Sequence, residues 1–97
     1  MKKTIKVTQE NINKSIDILS KNENKYKRSS CCPVALALKE EFPERYIQVR
    51  GAYVDIDFND LSLPKFIVDW ICNFDIYSLN PNSKCRTPLP VKFVIDV

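Results

Sequence analysis

The chain has 97 residues with one glycine, no histidine, 44% hydrophobic and 28% charged residues, and a net charge of +3. A dinucleotide-binding fingerprint needs three glycines and a phosphate-cradling P-loop needs two, so neither can be written in it. The lack of histidine removes every Ser-His, Cys-His and His-metal site as well. What remains is an ordinary globular composition at 11.3 kDa, read as a single domain over residues 1–97. A domain of that size buries roughly 60–65% of its unfolded surface, enough for one modest core.

Residues 4–8 alternate, with Ile5 and Val7 on one side and Lys6 on the other, and predict a short first strand. Thr8 is then a good N-cap for a helix beginning at Gln9, with Glu10 at its positive end. Ile12, Ile16 and Leu19 recur at helical spacing and predict a buried stripe. Residues 21–30 contain no apolar side chain except Tyr26 and read as a loop. Ser29 or Ser30 can cap a second helix, with Pro33 in its first turn and Val34, Ala35, Leu38 and Phe42 facing inward. Pro43 ends that helix, because the residue before a proline avoids helical angles.

Residues 46–50 and 53–58 each alternate and pair most simply as an antiparallel hairpin around Gly51. Ile47, Val49, Val54, Ile56 and Phe58 are expected inward, and Tyr53, Asp55 and Asp57 outward. Asn59 and Asp60 should break the second strand. Ser62 is a plausible cap for a third helix, with Pro64 in its first turn. Phe66, Ile67, Trp70, Ile71 and Phe74 form the strongest apolar stripe. A last strand covers residues 91–97, with Val91, Phe93, Ile95 and Val97 on one face. The expected order is β-α-α-β-β-α-β, an α+β fold with a four-stranded, mainly antiparallel sheet and helices packed on one face.

Charge is unevenly placed. Residues 1–30 carry eight basic and three acidic groups, a balance of +5, whereas residues 31–97 carry seven and nine, a balance of −2. The basic excess peaks at Lys25-Tyr26-Lys27-Arg28-Ser29-Ser30, just before the second helix. A helix start presents unpaired N–H groups and partial positive charge. Arg28 can grip a phosphate bidentately, Ser29 and Ser30 add hydroxyl donors, and Tyr26 can stack on a base. Tyr26, Lys27, Arg28, Ser29 and Ser30 are therefore the candidate ligand-binding residues, for an anionic nucleotide-type ligand. A solvated loop whose serines merely cap the helix accounts for the same residues. Nucleic acid is the weaker anionic candidate, since the patch has no supporting recognition motif.

Four cysteines stand at 31, 32, 72 and 85. No apolar run approaches the ~20 residues of a membrane span, and no apolar signal core follows the basic start. A cytoplasmic protein with reduced thiols and no membrane partner is expected. At a helix start beside Arg28, Cys31 and Cys32 would gain thiolate character. A four-cysteine zinc site lacks the paired CxxC spacing. Asp55, Asp57 and Asp60 could hold a hard cation, although acidic residues on a hairpin also simply discourage edge pairing. No nucleophile has a visible base, so no catalytic residues, cofactor or metal are assigned, and the chain is read as a non-enzyme.

One set of motifs spans most of the chain: Ile5-Lys6-Val7-Thr8-Gln9-Glu10-Asn11-Ile12, Cys32-Pro33-Val34-Ala35-Leu36-Ala37-Leu38, Leu63-Pro64 with Phe74-Asp75, and Phe93-Val94-Ile95. Together they resemble a group of small uncharacterised bacteriophage proteins. Asn11 stands where those proteins often have histidine, and Ser29-Ser30-Cys31-Cys32-Pro33 where they often have C-x-x-C-P. The resemblance implies a phage origin and action in the cytoplasm of a host bacterial cell. The expected function is that of a host-takeover or anti-defence factor acting by binding, through sequestration of a phosphorylated nucleotide-type signal. The alternatives are an interaction module that inhibits a host or defence protein, using a sheet edge or a homo-oligomer surface, and a nucleic-acid-binding protein.

Overall fold

The computed structural model describes residues 2–21, 28–79 and 87–97. Its elements run β1 (Lys2–Val7), α1 (Gln9–Lys21), α2 (Arg28–Cys31), α3 (Pro33–Glu41), β2 (Ile47–Arg50), β3 (Tyr53–Ile56), β4 (Asn59–Ser62), α4 (Lys65–Leu79) and β5 (Val91–Asp96). The α+β class agrees with the sequence reading. The single four-stranded sheet does not: β1 and β5 form a two-stranded antiparallel ribbon, and β2-β3-β4 form a separate antiparallel meander.

The ribbon runs in register from Lys2 opposite Asp96 to Val7 opposite Val91. This register puts Ile5 and Phe93 on the same inner face, where Val7 and Ile95 join them in the core. The meander contributes Val49, Val54 and Ile56 to the same apolar cluster, against Val34, Ala35 and Leu38 of α3 and Ile67, Ile71 and Phe74 of α4. The ribbon and the meander thus share one core without sharing a hydrogen-bond ladder. Helix α3 packs against both β1 and β2.

The meander departs from the sequence reading for a local reason. β3 stops at Ile56, because Asp57 and Phe58 both take left-handed backbone angles, φ +52° and +69°. They make a two-residue loop between Ile56 and its partner Asn59. Two successive positive φ values are what a tight hairpin needs to match strand twist. Asn59 and Asp60 therefore begin a third strand instead of ending the second. Phe58, expected inward, is 82% exposed at the loop. Asp55, expected outward and exposed, is buried on the central strand between Gln48 and Asp60. The other hairpin follows the sequence: Gly51, at φ +61°, opens the two-residue turn between Arg50 and Tyr53.

The helices show where local signals sufficed. Thr8 caps α1, its hydroxyl accepting from the Asn11 amide at 3.2 Å while Asn11 Oδ1 accepts from the Thr8 amide at 2.9 Å. This is a reciprocal capping box with asparagine in the usual Glu position. Ile12 is buried and Ile16 and Leu19 pack against the core, as the stripe predicts, but Asn11 and Ser15 are fully buried too. Ser62 is not a helix cap; it ends β4, and α4 starts two residues beyond Leu63. Within α4, Ile67, Ile71 and Phe74 are buried and Phe66 is 54% exposed. Trp70 is half-buried, stacks on Phe74 at 5.8 Å, and donates its indole N–H to the Leu89 carbonyl at 2.9 Å. Val97 is exposed beyond the end of β5. No helix among the described residues is long and apolar enough to cross a membrane.

Candidate functional site

The site begins at α2, a single turn of four residues. It buries no side chain of its own, so its neighbours hold it in place. Ser15 of α1 donates its hydroxyl to the Cys31 carbonyl at 2.6 Å. Lys39 of α3 donates its ammonium to the Ser30 carbonyl at 2.6 Å. Arg28 reaches α4, where its NH1 donates to Asp75 Oδ1 at 3.0 Å and to Ser78 Oγ at 2.8 Å. Three helices thus fix one turn, and two of the three ties satisfy carbonyls that a short helix leaves open.

Of the five residues proposed from sequence, Tyr26 and Lys27 lie outside the described residues. Arg28, Ser29 and Ser30 lie together on α2, half-buried. Neither serine caps the following helix. Cys32 does, its sulfur accepting from the Ala35 amide at 3.4 Å with the extended backbone of an N-cap. Pro33 follows at the first helical position, where its missing N–H costs nothing. Pro33, Val34 and Ala35 are buried, so the start of α3 faces the core. The start of α3 is therefore not the open helix end expected beside the basic loop, and among the described residues an anion contact there rests on side chains.

Arg28 and Ser29 stand at a cleft of about 340 Å³ between α2, the β2–β3 hairpin and α4. Its walls include Val49, Val68 and Ile71, the Cys32 and Cys72 thiols, and the Arg28–Asp75 pair. Both contacts of Arg28 use one nitrogen, so its Nε and its other terminal nitrogen have no partner among the described residues. A guanidinium held by one corner keeps its remaining fork for a planar anion.

Burial sets the electrostatics. The Cys32 thiol is pushed up from 9.0 to about 11, chiefly by desolvation, with the Asp75 charge adding to it and the Ala35 amide opposing. The reactive thiolate expected at this helix start is not present at Cys32, because burial outweighs the helix end. Burial also raises the Asp75 carboxyl above its ordinary value, against the pull of Arg28. Cys72, on the same cleft, is exposed. Asp75 is the Arg28 partner that sequence reading missed, because it lies 47 residues from Arg28.

The acidic trio does not converge. Asp57 is tied to Arg45 at 2.6 Å and accepts from the Tyr46 amide at 3.0 Å, and both hold its carboxyl below the usual range. Asp55 and Asp60 face each other across β3 and β4. Among the described residues no group of three or more Cys, Asp or Glu side chains could hold a metal ion. Comparison of the chain with family models, curated proteins and solved structures found no match.

Proposed function

We propose that the protein acts by binding and captures a small phosphorylated, nucleotide-type ligand at the Arg28 cleft. In this reading it is a phage-encoded accessory factor that withdraws such a signal from host or anti-phage machinery. The observation that carries it is Arg28: NH1 is anchored to Asp75 and Ser78, and the rest of the fork is unengaged among the described residues. The cleft volume lies at the small end of ligand pockets, suited to one ring or one sugar phosphate. Val49, Val68 and Ile71 give a ring a dry wall, and the fork meets the phosphate.

A thermal-shift panel of cyclic and linear nucleotides tests this. A ligand bound to the native state raises the melting temperature by mass action. Arg28→Lys keeps the charge and loses the fork, so it should lose most of the shift while remaining folded. No shift for any nucleotide at millimolar concentration, or an equal shift for Arg28→Lys, refutes capture at this site.

A further inference from the structure

We propose that the hairpin tip at Phe58, together with the groove beside it, is an interface for a second copy of this chain. Phe58 occupies the second position of a two-residue hairpin loop, at φ +69°. That position favours glycine, and a bulky side chain there is strained. The ring recovers little by burial, since it is 82% exposed. Among the described residues its aromatic contact is a stack on Tyr46 at 5.1 Å, and Tyr46 is itself 42% exposed. Backbone preference and solvation both disfavour phenylalanine here, and the core does not use it. Strain of this kind is stored where a contact outside the fold employs it.

Beside the tip lies a groove of about 430 Å³, lined by Phe42, Ile56, Leu61 and Val97, with Arg45 and Asp96 among its polar groups. It has ample room for a phenyl ring. Ile56 and Asn59, the residues flanking the loop, both line it, so projecting ring and receiving groove lie on one patch. A two-fold contact requires one patch to carry both complementary halves. The rim charge beside the tip is satisfied within the chain, Arg45 holding Asp57 at 2.6 Å, so the contact is carried by the ring and the groove. Asp60 on the edge strand β4 opposes strand-to-strand extension, so the contact is made by side chains and not by a continuous sheet. The exposed parts of Phe58, Tyr46 and Val97 make a patch of a few hundred Å². That is below the ~800 Å² per partner of a stable complex, so the dimer is weak and reversible.

Sedimentation equilibrium from about 10 µM to about 1 mM tests the proposal, a span chosen for an interface below standard size. The wild-type mass should rise with concentration from 11.3 kDa toward twice that value. Phe58→Gly should stay at the monomer mass throughout and, when dilute, melt a few degrees higher, because glycine relieves the left-handed strain. Leu61→Lys, which charges the groove, should also remain monomeric. A wild-type protein that stays at the monomer mass excludes the second copy. A Phe58→Gly variant that still dimerises, or that melts lower when dilute, shows the ring to be something other than the interface anchor.

Discussion

Asn11 is the polar residue on which the α1–α3 contact depends, and its removal has a cost that can be worked out. The side chain is fully buried. Its oxygen accepts from the Thr8 amide at 2.9 Å and the Thr8 hydroxyl at 3.0 Å, and its nitrogen donates to Glu40 Oε1 at 2.9 Å. Asn11→Ala deletes all three. Half of the capping box is worth roughly 0.5–1 kcal/mol. A bond to a charged acceptor is worth about 1.5–3 kcal/mol, with the lower figure appropriate because Glu40 is exposed and rehydrates. With a small cavity added, the loss is about 2–3 kcal/mol, a large share of the ~5–15 kcal/mol that holds a domain together. Urea unfolding of wild type, Asn11→Ala, Glu40→Ala and the double variant measures both the loss and the coupling between the two residues. A cost below about 1 kcal/mol for Asn11→Ala, or a coupling near zero, would refute the assignment of this bond as the tie between the helices.

Three further expectations concern the cleft. At pH 8 a thiol reagent should modify exposed Cys72 readily and Cys32 only as fast as the protein unfolds, read by peptide mapping. Because the Cys32 pKa rises from 9.0 to about 11 on folding, the unfolded chain loses that proton first, and stability should fall between those values by roughly 2–3 kcal/mol. A flat stability profile there contradicts the burial argument. Asp75 also has a raised folded pKa, so its contribution turns unfavourable as pH rises above the ordinary carboxyl value of 3.8. Wild type should therefore lose stability relative to Asp75→Asn as pH climbs above 3.8, and parallel curves in urea titrations would refute it.

The sequence by itself determined whatever depends on neighbours along the chain. The Thr8 cap, the start of α1 at Gln9, the Gly51 turn and the inward faces of β1, β3 at Val54 and β5 were all legible, because capping and apolar period act over a few residues. The end of α3 before Pro43 was legible for the same reason. The class α+β follows from those elements.

Only the tertiary structure decided which elements meet. β1 pairs with β5, some ninety residues away, and no local signal separates that ribbon from the meander. β4 is a short polar strand, visible only once the Asp57–Phe58 turn brings it against β3. Buried Asn11 and Ser15 look like solvent-facing helix positions until Glu40 and the Cys31 carbonyl arrive from elsewhere. Of the candidate site, the sequence located Arg28 and its serines but expected an open helix start to hold the anion. Packing buried that start, set Cys32 as its cap, raised the thiol's pKa and brought Asp75 from α4 to anchor Arg28. The physical reason is common to all of these: hydrogen-bond satisfaction and desolvation are settled by partners distant in the chain, and a one-dimensional pattern carries no record of them.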